Sequence, residues 1–66
     1  MILQQSLEKF RQGDSLSNTE LDVLLKFHRE MVQGLERLGT EFNLATYQLR
    51  HRLNTLEGFK RAREQH

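Results

Sequence analysis

The stretch LSNTELDVLLKFHREMVQGLERLG, residues 16–39, decides the fold. Ser17-Asn18-Thr19-Glu20 has the spacing of a capping box, in which the Ser17 hydroxyl takes the N3 amide and the Glu20 carboxylate reaches back to the Ser17 amide. Leu16 before the cap and Leu21 after it stand at the spacing of a hydrophobic staple. Glu20 and Asp22 put negative charge near the first turn, where the helix dipole favours it. From there Leu21, Leu24, His28, Met31, Leu35 and Leu38 recur at alternating spacings of three and four, filling the a and d positions of a heptad. Leu25 and Val32 add the adjacent e position. An apolar face this wide suits a helical bundle better than a two-stranded seam. Gly39 fits a stop just past the last turn.

Upstream, Leu3, Leu7 and Phe10 share one helical face, and Gly13 fits a C-terminal stop. A helix of eleven residues is marginal in isolation and must dock on something. Downstream, Thr40 or Asn43 can cap a third helix, whose stripe is Ala45, Leu49, Leu53 and Leu56, extended by Phe59. The expected helices cover about 2–12, 18–38 and 43–63 within a single helical domain, 1–66. One alternative stays open. The heptad runs through Leu38, Phe42, Ala45 and Leu49 to Leu56 and Phe59, and only Arg52 spoils a d position. One unbroken helix over 18–62 would be ~68 Å long. A hairpin is preferred, because Gly34, Gly39 and Thr40 weaken helix at the middle and a hairpin buries the wide face.

The whole chain has 66 residues, 7.9 kDa, no cysteine and no proline. A chain of this size buries only ~60% of the surface its unfolded form exposes. Disulfides and thiolate metal sites are excluded, so a partner chain is the support expected. The sequence therefore predicts an all-α helical hairpin with a short N-terminal helix, two copies pairing into a four-helix bundle. Its core would be Leu21, Leu24, His28, Met31, Leu35, Leu38, Leu49, Leu53 and Leu56. The N-terminal helix would cap that bundle or reach across to the other subunit. No apolar run approaches the ~20 residues of a membrane span, and the first residues lack the pattern of a signal peptide. A cytoplasmic protein with no membrane partner is expected.

Catalysis finds no support in the sequence. There is no cysteine nucleophile, no G-x-S-x-G, no phosphate-cradling glycine loop and no H-E-x-x-H. No spacing sets two of His28, His51 and His66 on one helical face, so neither a metal nor another cofactor is expected. His28 reads either as a pH switch or metal ligand at a subunit interface, or as a histidine that bonds a neighbour at a bundle edge or sets register at an a position, and the second is preferred. The charge is uneven: residues 1–41 carry five basic and seven acidic groups, while residues 42–66 carry five basic and two acidic. The basic set is Arg50, Arg52, Lys60, Arg61 and Arg63. At 100° per residue these scatter around the helix, so nucleic acid is the second choice as partner. Tyr47 lies off the apolar stripe and is a candidate interface anchor, although packing in the core or at the bundle edge is preferred for it. Leu3, Leu7, Phe10, Tyr47 and Arg50 are the candidate contacts to a partner protein.

The plan resembles small helical-hairpin regulators of bacteria and their phages. Leu16-Ser17-Asn18-Thr19-Glu20-Leu21 resembles the helix-opening motif of the haemolysin-modulating family, without the C-terminal aromatic segment of that family. Tyr47-Gln48, with Arg52 and Leu56-Glu57 after it, resembles the chaperone partners of type III secretion needles, although the register breaks between Leu38 and Asn43. In size, lack of cysteine and helical style the chain also resembles the phage anti-quorum-sensing protein family. These resemblances imply a non-catalytic protein that grips another protein and inhibits or escorts it. The setting they imply is the bacterial cytoplasm, or that of the host during phage infection. The alternative expectation is a small nucleic-acid-associated transcriptional regulator.

Overall fold

The computed structural model describes residues 2–65. They form α1 (Ile2–Gln12), α2 (Asn18–Leu38), a single 3-10 turn (Thr40–Phe42) and α3 (Asn43–Glu64), with no strand among the described residues. The break after Leu38 makes the molecule a hairpin of α2 and α3 and excludes the unbroken helix. Among the described residues no helix is long and apolar enough to cross a membrane.

Local chemistry sets each boundary. At the end of α1, Gly13 takes φ 77°. Its N–H donates to the Phe10 carbonyl at 3.2 Å, and the Asp14 N–H donates to the Lys9 carbonyl at 2.9 Å. This pair of bonds is the Schellman closure, and it needs the left-handed backbone that glycine adopts without strain. At the start of α2 the capping box is complete. The Glu20 N–H donates to Ser17 Oγ at 3.1 Å, and the Ser17 N–H donates to Glu20 Oε1 at 2.8 Å. Leu16 and Leu21 are both buried beside it.

The α2–α3 turn departs from the sequence expectation. Gly39 ends α2 at φ 125°, ψ −177°, an extended left-handed region rather than the αL stop. Neither Thr40 nor Asn43 acts as a side-chain cap. The chain instead closes a 3-10 turn, with the Phe42 N–H donating to the Gly39 carbonyl and the Asn43 N–H to the Thr40 carbonyl. Backbone bonds satisfy donors that a cap would otherwise have taken.

Ion pairs along the hairpin fix its antiparallel register. Arg50 meets Glu36 at 2.5 Å near the turn, and Lys60 meets Asp22 at 3.3 Å at the far end. The Arg63 guanidinium donates to Asn18 Oδ1 at 2.7 Å and to the Leu16 carbonyl. The core is Leu16, Leu21, Leu24, Leu25 and Leu56, with Leu3, Leu7, Phe10 and Leu53 packed partly buried against it. Each fully buried leucine of this kind contributes roughly 1.5–3 kcal/mol. Ser6, on the same face of α1 as Leu3, Leu7 and Phe10, is fully buried and returns its hydroxyl to the Ile2 carbonyl at 2.7 Å.

Two of the expected core residues stand outside the core of this single chain. Met31 is 41% exposed and Leu38 is 63% exposed, while Leu35 and Leu49 are half-buried. The buried stripe of α2 is Leu21, Leu25, His28 and Val32, an a/e stripe that follows the true helical period. The d side is covered only where α1 lies. An eleven-residue helix spans about 16 Å, half of the about 31 Å of α2. Leu24 falls under it and is fully buried; Met31 and Leu38 lie toward the turn and are progressively bare.

Candidate functional site: an uncovered hairpin and a cationic cleft

The N-terminal helix does not reach away from its own chain. Leu3, Leu7 and Phe10, expected at a partner interface, pack on the chain's own core. Lys9 pins α1 to α2 through an ion pair of 2.8 Å with Glu20. That pair, the Ser17 amide and the Ser17 hydroxyl together hold the Glu20 carboxyl at about 2, well below its usual 4.5. Glu20 thus serves the cap of α2 and the docking of α1 at once.

Two surfaces remain open. The first surrounds the turn, where Met31, Leu38, Phe42, Leu44 and Tyr47 are all exposed. Met31 and Leu38 stand seven residues apart on one face of α2. Leu44 and Tyr47 are 71% and 70% exposed, so Tyr47 stands outside the core or bundle edge where the sequence prefers it to pack. The molecule measures 38 × 28 × 17 Å, so its thinnest dimension is less than two helix diameters. Its accessible surface is 5117 Å². A compact monomer of this mass exposes about 4,400 Å².

The second surface is a cleft between α1 and α3. α1 packs mainly on α2 and meets α3 through side chains, Phe10 facing Phe59 with ring centroids 6.5 Å apart, so the cleft is a furrow beside that contact. Leu7 and Phe10 line one side, Thr55 the other, and His28 the floor. The rim is Arg11, His51 and Arg52. His28 is 1% exposed and held between two rings set nearly perpendicular to it, Phe10 at 6.2 Å and Phe27 at 5.5 Å between centroids. Its Nδ1 lies 2.8 Å from the Leu24 carbonyl, an acceptor, which assigns the proton to Nδ1. Burial pushes the imidazole below its usual pKa, the Leu24 carbonyl works against that, and the nearby Arg52 charge adds to it. His28 is thus fully buried and bonded to a carbonyl of its own helix, not a bundle-edge histidine bonded to a neighbouring element.

The basic character of α3 is largely spent within the hairpin. Arg50, a candidate partner contact, is engaged by Glu36; Lys60 is engaged by Asp22, and Arg63 by Asn18 and the Leu16 carbonyl. Among the described residues Arg52 makes no ion pair. The sequence offered one signal for the cleft, the arginine at a heptad d position. Arg11 and His51 join it only through the tertiary fold. The chain matches no protein-family profile, no curated protein and no solved structure.

Proposed function

We propose that this chain is a non-catalytic helical protein that binds a partner protein and inhibits or escorts it, and that it works as a homodimer. The observation that carries the reading is the half-covered hairpin, on which Met31, Leu38, Phe42, Leu44 and Tyr47 stay bare around the turn. Two hairpins joined through Met31, Leu35, Leu38 and Leu49 would complete the four-helix bundle that one copy leaves half built. Of the basic set, Arg50, Lys60 and Arg63 are engaged within the chain, while Arg52 and Arg61 make no ion pair among the described residues, so nucleic acid remains the second reading.

The test compares the wild-type chain with Leu38→Asp, a change at a side chain the single chain does not bury. Light scattering at about 100 µM, far above the Kd of a standard-size interface, should give a wild-type dimer and a monomeric variant. A nuclease-treated pull-down from lysate of the source cell should recover one stoichiometric protein. A monomeric wild type overturns the dimer. Recovery of material only when nuclease is omitted overturns the protein partner in favour of nucleic acid.

A further inference from the structure

Among the described residues, the cleft between α1 and α3 differs in its charge from the furrows along the α2–α3 seam and at the α1–α2 turn, where cations and carboxylates mix. The furrows along the α2–α3 seam mix cations with carboxylates, as where Arg29, Lys60 and Arg61 meet Glu57 and Glu64, or where Arg29 and Arg50 meet Glu36 and Glu57. The furrow at the start of α2 sets Lys60 and Arg63 against Asp22 and Glu64. The α1–α3 cleft has Arg11, His51 and Arg52 at its rim and no carboxylate in its lining. Arg11 has Glu8 only at 3.8 Å on the solvent side of α1, and both side chains are mostly exposed. Beneath the rim the surface is apolar, with Leu7 and Phe10 above the buried ring of His28.

We propose that this cleft seats an acidic amphipathic helix of the partner protein, its apolar side chains against Leu7 and Phe10 and its carboxylates toward Arg11, His51 and Arg52. The proposal rests on the reading of the chain as a protein-binding adaptor and adds the chemistry of what it binds. A helix docks in such a groove by a stripe at i, i+3, i+4 and i+7. Cationic rims select acidic flanks chiefly by raising the association rate and by penalising the wrong charge. A nucleic acid would use the rim but not the apolar floor. Arg52 is the decisive rim residue, because it lines the cleft from α3 and no carboxylate among the described residues engages it.

The probes are two synthetic helical peptides of about 14 residues, four turns, with the same leucine stripe. One carries Glu at the remaining positions, the other Lys. Each is titrated into isotope-labelled protein at low salt near pH 7 and followed by amide and imidazole NMR shifts, with a thymidine oligonucleotide as a third probe. The Glu peptide should bind at least about tenfold more tightly than the Lys peptide, with shifts centred on Leu7, Arg52 and Thr55. Arg52→Glu, which keeps the helical circular-dichroism spectrum because its side chain is exposed, should reverse that preference. Equal binding of both peptides, or binding of neither, overturns the proposal. Shifts centred on Met31 and Leu38 overturn the cleft as the seat while leaving the adaptor reading intact, since that reading stands or falls with the pull-down. An oligonucleotide that displaces the Glu peptide through Arg52 overturns the acidic helix in favour of a polyanion.

Discussion

Leu56 is the one fully buried side chain of α3, and it packs into the cluster of Leu16, Leu21, Leu24 and Leu25. Leu56→Ala leaves a cavity between all three helices, and such truncations cost 2–5 kcal/mol at fully buried sites. A folded chain of this length holds roughly 3–10 kcal/mol in total. At about 2.1 cal/mol/K of unfolding entropy per residue, 1 kcal/mol shifts the melting point by about 7 °C. Leu56→Ala should therefore lower Tm by about 14 °C at the least, read by circular dichroism. Leu44→Ala is the control, since a side chain 71% exposed should cost within about 0.5 kcal/mol. Leu38→Ala separates the chain from its assembly. In a monomer it should behave as Leu44→Ala does, whereas in a dimer its cost should grow with protein concentration. A Leu56→Ala loss below about 1 kcal/mol, or one matched by Leu44→Ala, would refute the core assignment.

The turn and the titrating groups give two more tests. Gly39→Ala has room for its new Cβ, whose nearest neighbours are Glu41 atoms at 3.9 Å, so its cost is backbone strain of about 1–3 kcal/mol. Gly34→Ala, with nothing near the added carbon inside α2, should instead stabilise by up to about 1 kcal/mol, and thermal melts of the two should move in opposite directions. On acidification, stability should fall in two windows. His28 has a folded pKa below 6.5, so the unfolded chain takes the proton first, and stability complete above that value is lost as pH drops beneath it. Glu20, at about 2 when folded and 4.5 otherwise, contributes stability above 4.5 that is lost as pH falls toward 2. Melting points measured between pH 7 and 2 check both, and His28→Gln should abolish the upper window alone. A Tm unchanged between pH 7 and 5 would show that the ring is not buried neutral.

Helix positions were legible because their signals are local. The capping box places the start of α2 at Asn18, and a glycine with positive φ closes α1 after Gln12. Which face becomes core was only half legible. Leu21, Leu24, Leu25 and Val32 are all apolar, and the heptad alone cannot choose between an a/d and an a/e stripe. That choice depends on the sides from which α1 and α3 approach, set by contacts such as Lys9 with Glu20 and Lys60 with Asp22 that join distant parts of the chain. Ser6 was invisible for a related reason: a small hydroxyl that satisfies itself on its own helix can sit in an apolar face. Thr40 and Asn43 had the chemistry of caps, but backbone bonds of the 3-10 turn took their place.

Both open surfaces trace to the length and placement of α1. It is half as long as α2, so the d positions Met31 and Leu38 extend past its cover. It leans on α2 rather than sitting midway over the hairpin, so a cleft remains between it and α3. The charges then sort by side. Cations of α3 that face the α2 seam meet Glu36 and Asp22 across it. Arg52 faces α1, whose single carboxylate, Glu8, is turned to the solvent beside Arg11. A third helix covering the whole hairpin would bury the apolar excess and could supply Arg52 with a partner. Instead α1 covers only the first half of α2, so Met31 and Leu38 stay exposed, and Arg52 makes no ion pair among the described residues.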